Sequence, residues 1–191
     1  MIRLVMGLFM GSVALTAQQE LVEGRADSKV RVVVYEDLQC SDCASFRRMM
    51  DQKLLPKYGE QVAFVHKDFP LPRHSWARKA AIAARFFESR SPELGLAYRK
   101  HILGTMFETT AENFEALLRD FAERHNVAPA EAVAALADPK LAARVEKDFQ
   151  DGVARGVSKT PTVFVNGRPY IERFTFEEIS KGIDEAIAET H

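Results

Sequence analysis

Strand-forming sequence occurs in two places in this 191-residue chain, and the stretch between them, from Ser75 to Arg155, offers none. That pattern limits the fold more than any other feature. In the first place, Val30-Arg31-Val32-Val33-Val34-Tyr35 is a β-branched run that suits a buried strand. Gln61 to Lys67, with Val62, Phe64 and Val65, is a second strand. Between them Cys43 to Lys57 reads as a helix, with Phe46, Met49, Met50 and Leu54 at helical spacing and Pro56 marking its end. Phe69-Pro70-Leu71-Pro72 is too proline-rich for regular structure and serves as a connection.

The middle of the chain is a block of helices. Trp76, Ala80, Ala83, Ala84 and Phe87 form one apolar stripe, with Ser75 as an N-cap, and Leu94 to Leu103 forms another. Thr109 with Glu112 reads as a capping box for a helix carrying Phe114, Leu117, Leu118 and Phe121. Pro129 suits the first turn of an Ala-rich helix. Leu141, Val145, Phe149 and Val153 complete the set, and Gly156 suits the last C-terminal cap. These stripes read as core faces, Trp76 included.

Strand signals return at Thr162-Val163-Phe164-Val165. Asn166-Gly167 is a strong hairpin turn, and Arg168 to Ile171 is the returning strand. Thr175 with Glu178 caps a final helix that turns Phe176, Ile179, Ile183 and Ile187 inward. The predicted fold is α/β, in the order βαβ, helices, ββα, with the helices at about 75–155 inserted into a single domain spanning 18–191. With 47% hydrophobic and 28% charged residues, such a domain can bury a real core. A net charge of −1 argues against a nucleic-acid binder.

Met1 to Ala17 carries one charge, Arg3, and reads as a signal peptide, being too short to span a membrane. Cleavage after Ala17 is one option, and Ser12-Val13-Ala14 offers another. The alternative is a buried first helix. A signal peptide places the mature chain outside the cytoplasm, where disulfides persist.

The only two cysteines, Cys40 and Cys43, stand where the first strand gives way to its helix. A thiolate at a helix N-terminus is stabilised by unpaired N–H groups and the helix dipole, which lowers its pKa. A second cysteine one turn further in can attack a mixed disulfide. A structural staple is a poor reading, because stabilisation grows with loop length and this loop is minimal. Zinc needs two more ligands, and His66 and His74 form no recognisable pair. Haem attachment needs a His where Ala44 stands. Spacing and context favour redox chemistry, with metal binding and inert thiols as alternatives.

Lys159-Thr160-Pro161-Thr162-Val163-Phe164-Val165-Asn166-Gly167 sets a proline directly before a strand. With this loop the chain resembles the thioredoxin superfamily, and within it the DsbA-like branch. Leu38-Gln39-Cys40-Ser41-Asp42-Cys43 resembles that branch's active-site segment. Phe69-Pro70-Leu71, with His74 and the Ala-rich helix after it, resembles its entry into a helical insertion. Gly156-Val157-Ser158-Lys159-Thr160-Pro161 resembles its cis-proline loop. The resemblance runs from about Leu21 to the C-terminus, and the three motifs together, in order, are highly specific.

The resemblance implies a thioredoxin-like fold with an all-helical insertion between its halves. It implies a thiol–disulfide oxidoreductase, periplasmic or otherwise secreted, that acts on protein thiol and disulfide clients. Cys40 would be the nucleophile and Cys43 the resolving cysteine. Pro161 would be cis and would leave the Thr160 backbone to pair with an extended client. The Cys40–Cys43 disulfide would be the only redox group, without metal or other cofactor. A membrane-bound recycling partner and a monomeric state are further expectations. Oxidase, reductase and isomerase directions all use these two sulfurs and stay open. The alternatives are a copper- or zinc-binding module and a glutathione-linked transferase or isomerase on the same fold.

Two departures from the branch matter. Many relatives carry a buried carboxylate six residues before the nucleophile, where this chain has Val34. Glu36 and Asp37 lie closer to the turn. Glu36 is expected on a solvated face, with a part in proton transfer as the weaker reading. Ser41-Asp42 replaces the Pro-His of strongly oxidising members. The Asp42 carboxylate is expected to raise the Cys40 pKa by like-charge repulsion and make the pair less oxidising. His74 is expected either on the loop surface or near the cysteines.

Overall fold

A computed structural model describes residues 20–171 and 175–190. The expected signal peptide lies outside the described residues. The strands are β1 (Leu21–Gly24), β2 (Arg31–Glu36), β3 (Ala63–Asp68), β4 (Thr162–Val165) and β5 (Arg168–Tyr170). They form one sheet in the order β1-β3-β2-β4-β5. β2 runs parallel to β3 and antiparallel to β4, so the two halves of the chain meet at this central strand. The helices α3 (Ala77–Glu88), α4 (Pro92–Gly104), α5 (Phe114–Arg124), α6 (Pro129–Ala134) and α7 (Pro139–Ala154) all fall between β3 and β4. A final helix, α8 (Phe176–Ala188), follows β5.

Three local expectations are corrected. Pro56 does not end the first helix. α1 (Ser41–Met49) passes through a π-helical turn (Met50–Leu54) into α2 (Leu55–Tyr58). The wider turn lets Pro56, which has no N–H to give, sit in the first turn of α2. Thr109 and Glu112 do not cap α5. The Thr110 N–H donates to Asn113 Oδ1 at 2.7 Å, and the buried Thr109 hydroxyl donates to the Thr105 carbonyl at 2.9 Å. Ser75 does not cap α3, whose first amides are met from elsewhere in the chain. β1 is an addition that the sequence did not signal. It is four residues long and exists because the edge of β3 offers it a partner, with Leu21 opposite His66 and Glu23 opposite Phe64.

One face of the sheet changes character along its length. Val32, Val34 and Glu36 alternate onto it from β2, and their partners Phe64, His66 and Asp68 do so from β3. The apolar end packs Val32, Val34 and Phe64 against Phe46, Met50, Ile179 and Ile183. The charged end is buried as well. Arg99 of α4 donates to Glu36 at 2.9 Å and also reaches Asp68. Arg85 of α3 joins Asp68 to Asp148 of α7. His66 Nδ1 lies 3.0 Å from Glu36, and its Nε2 lies 3.4 Å from Glu23 on β1. Burial pushes the carboxyl of Asp68 up, but Arg85 and Arg99 more than reverse this and hold it below the ordinary range. The insertion is therefore fastened to the sheet by ion pairs as well as by apolar contact.

Removing one partner of a buried pair leaves a charge uncompensated, at a cost of about 3–5 kcal/mol. Arg99→Met should lower the unfolding free energy by about that amount, measured by urea denaturation. His66 gives the network a pH signature. Burial pulls its pKa down, but Glu36 and Glu23 outweigh that and raise it. A raised folded pKa gives stabilisation that is complete below the ordinary imidazole value and lost as pH rises through the folded value. In a Cys40→Ser, Cys43→Ser background, where no thiol titrates, stability should fall on the alkaline side. His66→Gln should flatten that fall.

Candidate active site

Cys40 occupies the N-cap position of α1 with extended backbone (φ −94°, ψ 126°). The turn is closed by its N–H, which donates to the Asp37 carbonyl, and by its carbonyl, which accepts from Ala44, each at 3.0 Å. Cys43 stands one turn inside the helix and is 1% exposed. Its Sγ accepts the Asp37 N–H at 3.4 Å. Both cysteines are free thiols. Cys40 opens onto a cavity of about 730 Å³ that Asp42, Arg73, His74, Met106 and Thr160 also line.

The two sulfurs are electrostatically unlike. The Cys40 thiol is lowered to about 5, chiefly because the Cys43 thiol hydrogen-bonds to it. Burial opposes this, and the Thr160 side chain and the backbone N–H groups of Cys43 and Asp42 add to the lowering. Burial pushes the Cys43 thiol well up, helped by the charges of Cys40 and Glu36. Asp42 is exposed, and its backbone N–H is among the groups that lower the Cys40 pKa. N–H groups at a helix N-terminus stabilise a thiolate in this way. Ser41 is exposed on the same rim.

The Thr160–Pro161 bond is cis. It brings the Thr160 carbonyl to 3.4 Å from Cys40 Sγ, whose thiol donates to it. Glu36 is corrected from a solvated to a buried residue, 3% exposed. It lies on the sheet face of Val34, one pleat nearer the cysteines, and burial there is tolerable only because His66 and Arg99 pair with it. Burial alone would raise its pKa, and these two cations leave it lowered.

Asp37 and Gln39 do more than their sequence signals suggested. Asp37 Oδ1 accepts the Gln39 N–H at 2.7 Å. Its Oδ2 accepts the Leu71 N–H at 2.7 Å and lies 2.7 Å from His74 Nδ1. Gln39 Oε1 accepts from the amides of Trp76 and Ala77 at 2.8 and 3.1 Å, and so caps α3 from the cysteine turn. Trp76 is core, stacked on Phe114. Among the described residues no group of three or more His, Cys, Asp and Glu side chains is arranged to hold a metal ion.

The thioredoxin family model matches residues 16–185. The chain belongs to the thioredoxin family. The solved structures it resembles give the branch of the fold. Oxidised BdbD from Bacillus subtilis superposes with a TM-score of 0.80 at 23% identity, over 88% of this chain and 93% of that one. α-DsbA1 from Wolbachia pipientis superposes at 0.79 and 18% identity, over 92% and 94%. The fold is thus the DsbA-like thioredoxin fold with its helical insertion. Among curated relatives, Na(+)/H(+) antiporter NhaA 3 of Salinispora tropica is 30% identical over 177 residues, which cover 92% of this chain and 26% of that protein. A Rickettsia bellii protein named "Putative protein-disulfide oxidoreductase" is 27% identical over 91% of this chain and 66% of that protein. The chain spans about a quarter of the length of the antiporters it matches.

The contrast between the two sulfurs can be tested directly. Thiolate absorbance of the reduced protein should show an inflection at about pH 5, absent in Cys40→Ser. Cys43→Ala removes the largest cause of the depression and should move that inflection upward.

Proposed function

We propose that this protein is a thiol–disulfide oxidoreductase working outside the cytoplasm on protein clients, with Cys40 as nucleophile and Cys43 as resolving cysteine. One observation carries the reading: an acidic thiol at a helix N-terminus faces an open cavity, and a buried high-pKa thiol sits one turn behind it. Nearest the sulfurs, the Thr160 backbone before cis Pro161 supplies an edge on which an extended client segment can lie.

The chemistry follows from the asymmetry. In the oxidised protein a client thiolate attacks Cys40 Sγ, the Cys40–Cys43 bond breaks, and Cys43 leaves with the electron pair and takes up a proton. A second client thiolate then attacks the client sulfur of the mixed disulfide and expels Cys40 as a thiolate. A sulfur with a depressed pKa leaves readily, and its stability favours the reduced enzyme and so the oxidised client. The proposed direction is therefore oxidation, and a recycling partner in the membrane would return the pair to the disulfide. The same local chemistry would serve whether the chain works alone or as part of a longer protein.

Cys43→Ser should accumulate a mixed disulfide between Cys40 and client, visible as a thiol-sensitive adduct on non-reducing gels. Cys40→Ser should form none and lose disulfide exchange. Thiol trapping in cells should find the wild-type pair mostly oxidised. A pair found mostly reduced would point to the reductase or isomerase direction instead.

A further inference from the structure

His74 lies on the connection between β3 and α3, four residues past Pro70, and its placement is constrained at both ends. Its backbone N–H donates to the Leu71 carbonyl at 3.0 Å, closing a turn. The Leu71 N–H in turn is held by Asp37 Oδ2, the same oxygen that lies 2.7 Å from His74 Nδ1. A carboxylate in that position accepts, so Nδ1 carries the proton and the lone pair of the neutral ring is on Nε2. Among the described residues Nε2 has no hydrogen-bond partner, and the residue lines the Cys40 cavity. A carboxylate that orients an imidazole lining a nucleophilic sulfur's cavity is the arrangement that general acid–base chemistry needs.

We propose that His74, oriented by Asp37, is the general base that takes the proton of an incoming client thiol at Cys40, and the general acid that returns it in the reverse direction. The inference rests on the oxidoreductase reading above and assigns that site a further catalytic residue. As the client sulfur bonds to Cys40 Sγ, its S–H proton passes to Nε2. The Cys40–Cys43 bond breaks, and its electron pair stays on Cys43, which takes a proton from water. His74 then releases its proton to solvent through the cavity. The client sulfur is oxidised and the Cys43 sulfur reduced, so this step needs no outside oxidant. Among the described residues, the charged and titratable groups that line the cavity with His74 are Cys40, Asp42, Arg73 and Lys159, and Asp37 is buried against its Nδ1.

The size of the effect has a ceiling. An ordinary thiol with a pKa of about 8.5 is only about 3% thiolate at neutral pH, so help with its deprotonation can gain at most about 30-fold. The proposal therefore predicts an effect that depends on the client's own acidity, which a merely structural role would not show.

The test is single-turnover reduction of the Cys40–Cys43 disulfide in the full chain by two thiols of similar size. One is an alkyl thiol of ordinary acidity and the other an aromatic thiol already ionised at neutral pH. His74→Gln should slow the alkyl thiol by about 10-fold at neutral pH, within the ceiling set by thiol ionisation. The deficit should shrink as pH rises through the alkyl thiol's pKa and should be much smaller for the aromatic thiol. Imidazole added to His74→Ala should restore part of the alkyl-thiol rate. Equal slowing of both thiols at every pH, or no slowing of either, overturns the role of His74. A wild-type disulfide that exchanges with neither thiol overturns the oxidoreductase reading itself.

Discussion

Two buried guanidinium groups hold this molecule together at the junction on which its chemistry depends. Arg85 and Arg99 come from the helical insertion and end on Glu36 and Asp68 at the charged end of the sheet face. Charges so fully buried are costly unless each is met by an opposite charge in good hydrogen-bonding geometry. The insertion thus cannot slide over the sheet as an apolar interface might, because any shift would strand a charge. Glu36 lies near enough to Cys43 to raise its pKa, so the groups that fasten the insertion also help to protonate the inner thiol.

The turn that carries the cysteines is fastened in a second way. Asp37 spends its carbonyl on Cys40, its N–H on Cys43 and its carboxylate on Gln39, Leu71 and His74. Gln39 then caps α3. Through these two side chains the β2–α1 turn, the β3–α3 connection and the first insertion helix share one hydrogen-bonded cluster. The cavity wall opposite Cys40 is consequently set by the same residues that shape the cysteine turn.

Much of the fold was legible in the sequence, and what was legible shares a cause. The β-branched runs of β2 and β4, the Asn166-Gly167 hairpin, the Thr175–Glu178 cap and the apolar stripes of the insertion are all stated within a few residues of chain. The Cys40–Cys43 pair and Pro161 were legible for the same reason. β1 was not, since its four residues become a strand only beside β3. Nor was the first helix's passage beyond Pro56, because a π-helical turn leaves no mark on the apolar pattern. Glu36 was misplaced because an acid at a strand end looks solvated until the arginine that meets it, 63 residues later, is brought across.

The sequence by itself determined most of the elements, β1 excepted, their order, and where the sulfurs stand in them. Side-chain periodicity, turn chemistry and helix starts are properties of neighbouring residues, and they survive being read in one dimension. Tertiary structure alone decided much of the electrical character of the site: how deeply the inner thiol is buried, which carboxylates are buried and which imidazole reaches Cys40's cavity. Charge interactions depend on distance and burial, and here the groups that set them come from strands and helices far apart in the chain. That is why Asp37 and His74, far apart in sequence, meet only once the sheet and the insertion have come together.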